Sequence, residues 1–242
     1  MIALLLNSGR GTRMGGETRE HPKCMCRLDE TDTIISWQVR LLQENGITEA
    51  VVTTGPFADM LREHLEGLHS GIRFHYVPNP DYASTNYIYS MYLARDILQD
   101  DVISLHGDLV LEPDVMRMVC QSPVSCGAVD GTLPLPEKDF KAQLLDGRIR
   151  AIGVDRFGED CVASQPAYKF LEKDFQRWMQ EIERFVRRGE TGCYAENAFN
   201  AAWEEIPLMA LDVKGMLCSE IDTPEDHRVV GARFKQMKEQ QS

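Results

Sequence analysis

The chain has 242 residues, 43% of them hydrophobic and 26% charged, with a formal net charge of −12 at pH 7. That length and composition fit one globular α/β domain with at most a small appendage and a sizeable buried core. The acidic balance excludes a nucleic-acid-binding surface, which needs a basic face against phosphates, and no apolar run is long enough to span a bilayer.

The N-terminus shows neither the basic region nor the cleavage site of a signal peptide. The cysteines are seven, an odd number, at positions 24, 26, 120, 126, 161, 193 and 218. Cys24-x-Cys26 has no companion pair, so ordinary thiols in a reducing cytoplasm are expected.

Ile2–Leu6 is an unbroken apolar run, which predicts a strand buried on both faces. It opens into a turn carrying Gly9, Gly11, Gly15 and Gly16, with Arg13 inside it and Lys23 after Pro22. Glycines let backbone N–H groups approach a ligand closely, and Arg plus Lys make a phosphate chain the expected ligand. The dinucleotide fingerprint G-x-G-x-x-G fails at Met14, and no Gly-Lys-Ser/Thr ends a P-loop.

The spacing then predicts a helix over 33–45 stopped by Gly46, a strand over 50–54, a helix over 57–66 and a strand over 73–77. Ser84 or Thr85 is the expected cap of a helix running to Leu98. A strand over 101–106 leads to Gly107-Asp108, where an acidic residue can hold Mg²⁺ or close an Asx turn. A short helix over 113–120 and a strand over 124–129 follow. Asp146-Gly147 between 140–145 and 148–154 signals a hairpin, and Pro166 argues that the strand over 165–170 is an edge. Helices over 171–188 and 193–204 meet at Gly189. Asp222 precedes Thr223-Pro224 as a good N-cap for the last helix. The fold class expected is α/β: a Rossmann-like three-layer α/β/α arrangement with a mainly parallel mixed sheet and an antiparallel edge hairpin.

Strand, G-x-G-T-R and then Pro22-Lys23 resemble the N-terminal signature of nucleotidyltransferases that couple a nucleoside triphosphate to a small phosphorylated molecule. The segment Asn79 to Ser90 resembles the N-x-x-Y…N-x-x-S stretch of bacterial cytidylyltransferases acting on phosphocholine and related aminoalkyl phosphates or phosphonates. Glu220-Ile221-Asp222-Thr223-Pro224 is similar to that family's E-I-D-T-P. The resemblance implies CTP and Mg²⁺, with Arg13, Lys23, Asp108 and Asp222 catalytic and Asp108 and Asp222 on the metal. It implies a nucleotide site of Leu6, Asn7, Ser8, Gly9, Gly11, Thr12, Arg13, Lys23, Asn79, Asn86 and Ser90. For the acceptor it implies Tyr194, Glu196 and Asn197 around a cationic head, while Lys141 is placed to reach a phosphate or to stay solvated.

The expected activity is transfer of CMP from CTP to 2-aminoethylphosphonate or phosphocholine with release of pyrophosphate. A sugar-1-phosphate nucleotidyltransferase is the same-class rival and a non-catalytic nucleotide-sensing domain the different-class one. One domain over 1–242 is expected, its nucleotide part about 1–130 and its acceptor part about 131–242. The protein is expected to be cytoplasmic, without membrane or nucleic-acid partners, and compatible with a homodimer.

Overall fold

The computed structural model describes residues 1–241, those at 16, 17 and 241 in backbone only. In chain order the elements are β1 (Ile2–Asn7), α1 (Ile34–Glu44), β2 (Glu49–Thr54), α2 (Ala58–Gly67), β3 (Arg73–Pro78), α3 (Tyr87–Ala94), β4 (Val102–His106) and β5 (Leu109–Leu111). Then come α4 (Pro113–Gln121), β6 (Cys126–Asp130), β7 (Lys141–Leu145), β8 (Arg148–Gly153), β9 (Cys161–Phe170), α5 (Glu172–Arg187), α6 (Ala195–Ala202), β10 (Met209–Asp212), β11 (Cys218–Glu220) and α7 (Pro224–Gln241).

β1 is central because it is apolar throughout. Ala3 and Leu5 pack into one core with α1, α2, α4 and α7, whereas Ile2 and Leu4 pack into another with α3, α5 and α6. Alternate residues of one strand therefore feed two helical layers, the three-layer α/β/α arrangement. β1 pairs in parallel with β2 and β4, and β2 with β3. The sheet order is β3-β2-β1-β4-β9-β6-β10-β8-β7. Beyond β4 the pairing turns antiparallel, apart from the parallel β6–β10 pair. The β7–β8 hairpin closes the far edge, with positive φ at both Asp146 (49°) and Gly147 (77°), as a type I′ turn needs.

β9 lies between β4 and β6, not at the edge that Pro166 suggests. Its register against β6 jumps from Tyr168 to Ser164 opposite Gly127 and Val129. Pro166 falls inside that bulge, where a missing N–H breaks no ladder bond. The cap of α3 is Asn86, whose side chain accepts from Tyr87 N at 2.8 Å, rather than Ser84 or Thr85, and the helix ends at Ala94. α1 starts as expected, with a Thr33–Ser36 capping box. At α7 the cap is Thr223, not Asp222: Thr223 Oγ1 accepts from Asp226 N at 3.2 Å and Asp226 Oδ2 accepts from Thr223 N at 2.7 Å.

β10 and β5, and with β5 the pairing of the small β5–β11 ladder, do not announce themselves in the sequence, whereas the strand residues leading into Asp222 do. That ladder pairs Glu220 with Leu109, and Ile221 N donates to Asp108 O at 3.0 Å, so the last acidic segment is stitched beside Asp108. No helix among the described residues is long and apolar enough to cross a membrane.

Candidate active site

Beyond the carboxyl ends of β1 and β4 opens a cavity of about 360 Å³. In α/β sheets this is where ligands bind, because strand ends leave a crevice there. The loop after β1 contributes Ser8, Gly9, Gly11, Thr12 and Arg13, with Leu6 at its root and Lys23 at its end. Gly11 has φ +63°, and a Cβ there would stand 3.2 Å from Lys23 Cβ. The turn is thus built for glycine, and it folds the loop back onto the segment that carries Lys23.

Lys23 Nζ lies 2.5 Å from Asp108 Oδ2 and 2.6 Å from Asp222 Oδ1. Arg13 reaches Asp222 Oδ1 at 2.9 Å from a largely exposed position. Burial alone would lower the Lys23 ammonium, but Asp108 and Asp222 outweigh it and hold the group above its ordinary value. For Asp108 burial works towards the neutral acid, yet Lys23 and His106 keep it below the usual carboxylate range.

The structure adds two groups to this cluster that the sequence reading had not assigned. His106 Nδ1 is 3.0 Å from Glu220 Oε1. Burial and then Asp108 push the Glu220 carboxyl up to about 7, against the pull of His106. Burial opposes a charge on His106, but Glu220, by hydrogen bond and charge, with Glu196 and Asp108 behind it, raises it to about 9. A glutamate two residues before the expected ligand in E-I-D was the available signal.

A divalent cation suits these residues. Ligand atoms of His106, Asp108 and Glu220 lie within 4.8 Å of one another, and the Lys23 ammonium already draws Asp108 and Asp222 together around one positive charge. Asp108 Oδ1 is buried, with no donor except the Glu220 carboxyl when that is protonated. An oxygen-rich set of this kind fits a hard cation.

The other expected site residues divide. Asn86 and Tyr194 line the cavity. Asn79 and Ser90 do not: both are buried behind its wall, where Asn79 Nδ2 donates to Ser90 Oγ at 3.0 Å and the Ser8 and Ser90 hydroxyls are 2.7 Å apart. Asn7 faces a smaller cavity of about 70 Å³ that it shares with Lys23, Gly107 and Asp108. Lys141 neither reaches the cavity nor meets solvent. Fully buried, it donates to Pro136 O at 2.8 Å and Glu137 O at 3.4 Å, with Phe157 over its ammonium at 4.2 Å. Glu196 is buried too, taking hydrogen bonds from Tyr87 Oη and, at 3.3 Å, Tyr168 Oη. Asn197 is exposed on α6 and lines no part of the cavity.

In their place the cavity is lined by Lys138, Asp139 and Phe140 from the loop before β7. Phe140 meets Tyr194 edge to face at 5.0 Å, and Tyr194 lies 6.0 Å from Tyr87. A loop with no periodicity gives no sequence signal that it folds over a site.

Residues 3–134, more than half of the chain, match the family model of the MobA-like NTP transferase domain. The chain belongs to this family. Among relatives of this MobA-like NTP transferase, the choline-phosphate cytidylyltransferase of Streptococcus pneumoniae is 29% identical over 236 residues, 94% of this chain and 96% of that protein. The CMP-5′-(3-aminopropyl)phosphonate synthase of Streptomyces rubellomurinus is 28% identical over 99% of this chain. A CTP:phosphoglutamine cytidylyltransferase of Campylobacter jejuni is 28% identical over 48% of it. The chain spans 40% of the length of the synthase and 47% of that of the phosphoglutamine enzyme.

Among solved structures, the S. pneumoniae CTP:phosphocholine cytidylyltransferase superposes with a TM-score of 0.78 at 20% identity, covering 96% of this chain and 99% of that one. The inositol-1-phosphate CTP transferase of T. maritima reaches 0.80 at 21% identity, covering 98% and 96%. A UDP-glucose pyrophosphorylase reaches 0.77 at 15%, covering 97% and 98%. At these identities the superpositions establish a shared fold, and that fold serves cytidylyl and uridylyl transfer alike.

Proposed function

We propose that this chain transfers CMP from CTP to a small zwitterionic phosphonate or phosphate, with 2-aminoethylphosphonate or phosphocholine leading, and releases pyrophosphate. The observation that carries the reading is Lys23 bridging Asp108 and Asp222 beneath Arg13, at the mouth of a cavity whose far side is aromatic. The 28% identity to the phosphonate synthase over 99% of this chain and the near-full match to the choline-phosphate enzyme support that acceptor class.

In this reading the acceptor oxygen attacks the α-phosphorus in line. A P–O bond forms while the bond to the bridging oxygen of the leaving pyrophosphate breaks. The nucleophile is already an anion, so no histidine has to act as a general base. Catalysis rests on positioning and on charge neutralisation. Arg13 and Lys23 hold the triphosphate and neutralise the charge that builds on pyrophosphate. Asp108 and Asp222, with Glu220 in reach, would hold Mg²⁺, which supplies Lewis-acid stabilisation of the reacting phosphoryl oxygens when bound. Lys138 and Asp139 bring opposite charges to the acceptor end, matching a zwitterion, and the faces of Phe140 and Tyr194 suit an organic ammonium.

The same reading takes residues 1–242 as one nucleotidyltransferase domain, with the nucleotide held mainly by the part to about 130 and the acceptor by the rest. A cytoplasmic setting agrees with the free thiols of Cys24, Cys120, Cys126, Cys161, Cys193 and Cys218.

The test is a pyrophosphate-release screen that crosses four nucleoside triphosphates with phosphocholine, 2-aminoethylphosphonate, phosphoethanolamine and several sugar 1-phosphates. Release with CTP and an aminoalkyl acceptor is expected. Release with UTP and a sugar phosphate, never with CTP, would overturn the reading, and no release with any pair would point to a nucleotide-sensing domain.

A further inference from the structure

Asp108 sits in the two-residue turn that joins β4 to β5, and its carboxylate is only as well placed as that turn. Two backbone bonds hold the turn from outside: Gly107 N donates to Leu6 O at 3.1 Å, and Ile221 N donates to Asp108 O at 3.0 Å. A side chain holds it from α1. Gln38 sends one Nε2 proton to His106 O at 2.8 Å and the other to Leu109 O at 2.7 Å, the carbonyls at the two ends of the turn. Both partners can only accept, so the amide orientation is settled.

For stability alone Gln38 is a poor choice. It is fully buried, on the face of α1 that Ile34, Ile35, Leu41 and Leu42 share by helical spacing, and all four pack into the apolar core. Its Oε1 is buried without a partner, and an unmet amide oxygen in such surroundings opposes folding. What the side chain supplies is confined to the backbone on either side of Gly107-Asp108. The neighbouring Trp37 differs, because its Nε1 donates to Leu111 O at 2.9 Å, at the far end of β5.

We infer that Gln38 is a positioning residue for the transfer: its carboxamide fixes the turn that aims the Asp108 carboxylate into the cavity. The inference rests on the proposed function, in which Asp108 holds Mg²⁺ beside a triphosphate bound by Arg13 and Lys23. Gln38 itself lines neither the main cavity nor the small one beside Asn7. It acts through the backbone on one metal ligand, whereas Asp222 follows β11 and the loop with Arg13 and Lys23 follows β1. Loss of its N–H groups therefore loosens the hold on the cation and leaves the phosphate-binding side chains in place.

The experiment is calorimetric titration of CTP in excess Mg²⁺ and again in EDTA, with melting midpoints, for wild type, Gln38→Met and Trp37→Phe. Methionine keeps the length of glutamine and removes both N–H groups. Gln38→Met should weaken CTP binding in Mg²⁺ by about tenfold, as losing a group behind a metal ligand does, and change binding in EDTA much less. Trp37→Phe should lower the melting midpoint and leave the Mg²⁺ enhancement of CTP binding as in wild type. Should Gln38→Met fail to fold, Gln38→Asn, an amide too short to reach both carbonyls, carries the same test.

A folded Gln38 variant that melts lower yet keeps the full Mg²⁺ enhancement would make the side chain a structural brace and overturn the inference. Equal weakening in Mg²⁺ and in EDTA would also overturn it, since the loss would then lie with the phosphate-binding loop. A wild-type protein that binds no CTP, or binds it equally with and without Mg²⁺, would overturn the proposed site and the inference with it. That failure shows in wild type, before any variant is read.

Discussion

Thr223 and Asp226 cap α7 reciprocally, Asp226 Oδ2 accepting from Thr223 N at 2.7 Å and Asp226 N donating to Thr223 Oγ1 at 3.2 Å. Asp226 takes the N–H of Asp222 as well, at 3.1 Å. The helix start is satisfied without the Asp222 carboxylate, which turns to Lys23 and Arg13 instead. Structural and chemical roles are thereby separated between two acids four residues apart.

That separation is measurable. Asp226→Ala should cost about 1 kcal/mol of stability in urea unfolding, the usual cost of losing a cap. Asp222→Asn should leave the urea midpoint close to wild type and lower turnover by about 10²–10³, the loss typical of one transition-state electrostatic contact.

Lys23 is the counter-charge for two carboxylates among buried surroundings. Lys23→Met should lower the Tm of the metal-free protein, because Asp108 and Asp222 lose the buried cation they share, with only the largely exposed Arg13 left beside Asp222. Added Mg²⁺ should raise the Tm of this variant more than that of wild type, and calorimetry would show it. Turnover should fall by about 10²–10³ even in excess Mg²⁺, since the triphosphate loses a ligand.

Gly107 admits no side chain. A Cβ there would lie 1.9 Å from Asn7 Oδ1 and 2.8 Å from Leu6 O. Gly107→Ala should destabilise by at least the ~1–3 kcal/mol of an overpacked site and displace the adjoining Asp108. Circular-dichroism melting, together with a loss of turnover, would record both effects.

The buried ammonium of Lys141 ties down the loop that presents Lys138, Asp139 and Phe140 to the cavity. Lys141→Met should raise KM for the acceptor by about tenfold, as expected for a positioning contact, with a much smaller change in KM for CTP. Initial-rate kinetics with each substrate varied in turn would separate the two.

Asp29 supplies the pH dependence. Burial favours its neutral form, but Lys238 and the N–H groups of Thr31 and Asp32 outweigh that and hold it below its ordinary value of 3.8. With the folded value depressed, its contribution to stability is complete above 3.8 and is lost as the pH falls through the lower folded value. Asp29→Asn should flatten the stability profile in that acid range and leave its slope near neutrality unchanged.

Much of the sheet is legible in the chain because periodicity survives one-dimensional reading. β1, α1, β2, α2, β3 and β4 fall within a residue or two of their expected bounds, and the Asp146-Gly147 hairpin is where its turn residues put it. Pro166 misled for a local reason: a proline is barred from a ladder, not from a central strand whose bulge removes the ladder at that point. Glu196 and Lys141 misled for a related one. A charged residue near a site motif reads as a ligand contact until burial and its own partners are known, and here tyrosine hydroxyls and loop carbonyls already occupy them.

By itself the sequence determined the strand–glycine-turn–Arg–Lys opening, the parallel half of the sheet and the acids that end two distant strands. All of these follow from residue type and short-range spacing. Only the tertiary structure decided that Glu220 and His106 join Asp108, that Asn79 and Ser90 stand behind the cavity wall in hydrogen-bond contact with each other and with Ser8, and that the loop before β7 lines the cavity. Those are relations between residues far apart in the chain, fixed by burial and by the direction of individual hydrogen bonds, and no local pattern encodes them.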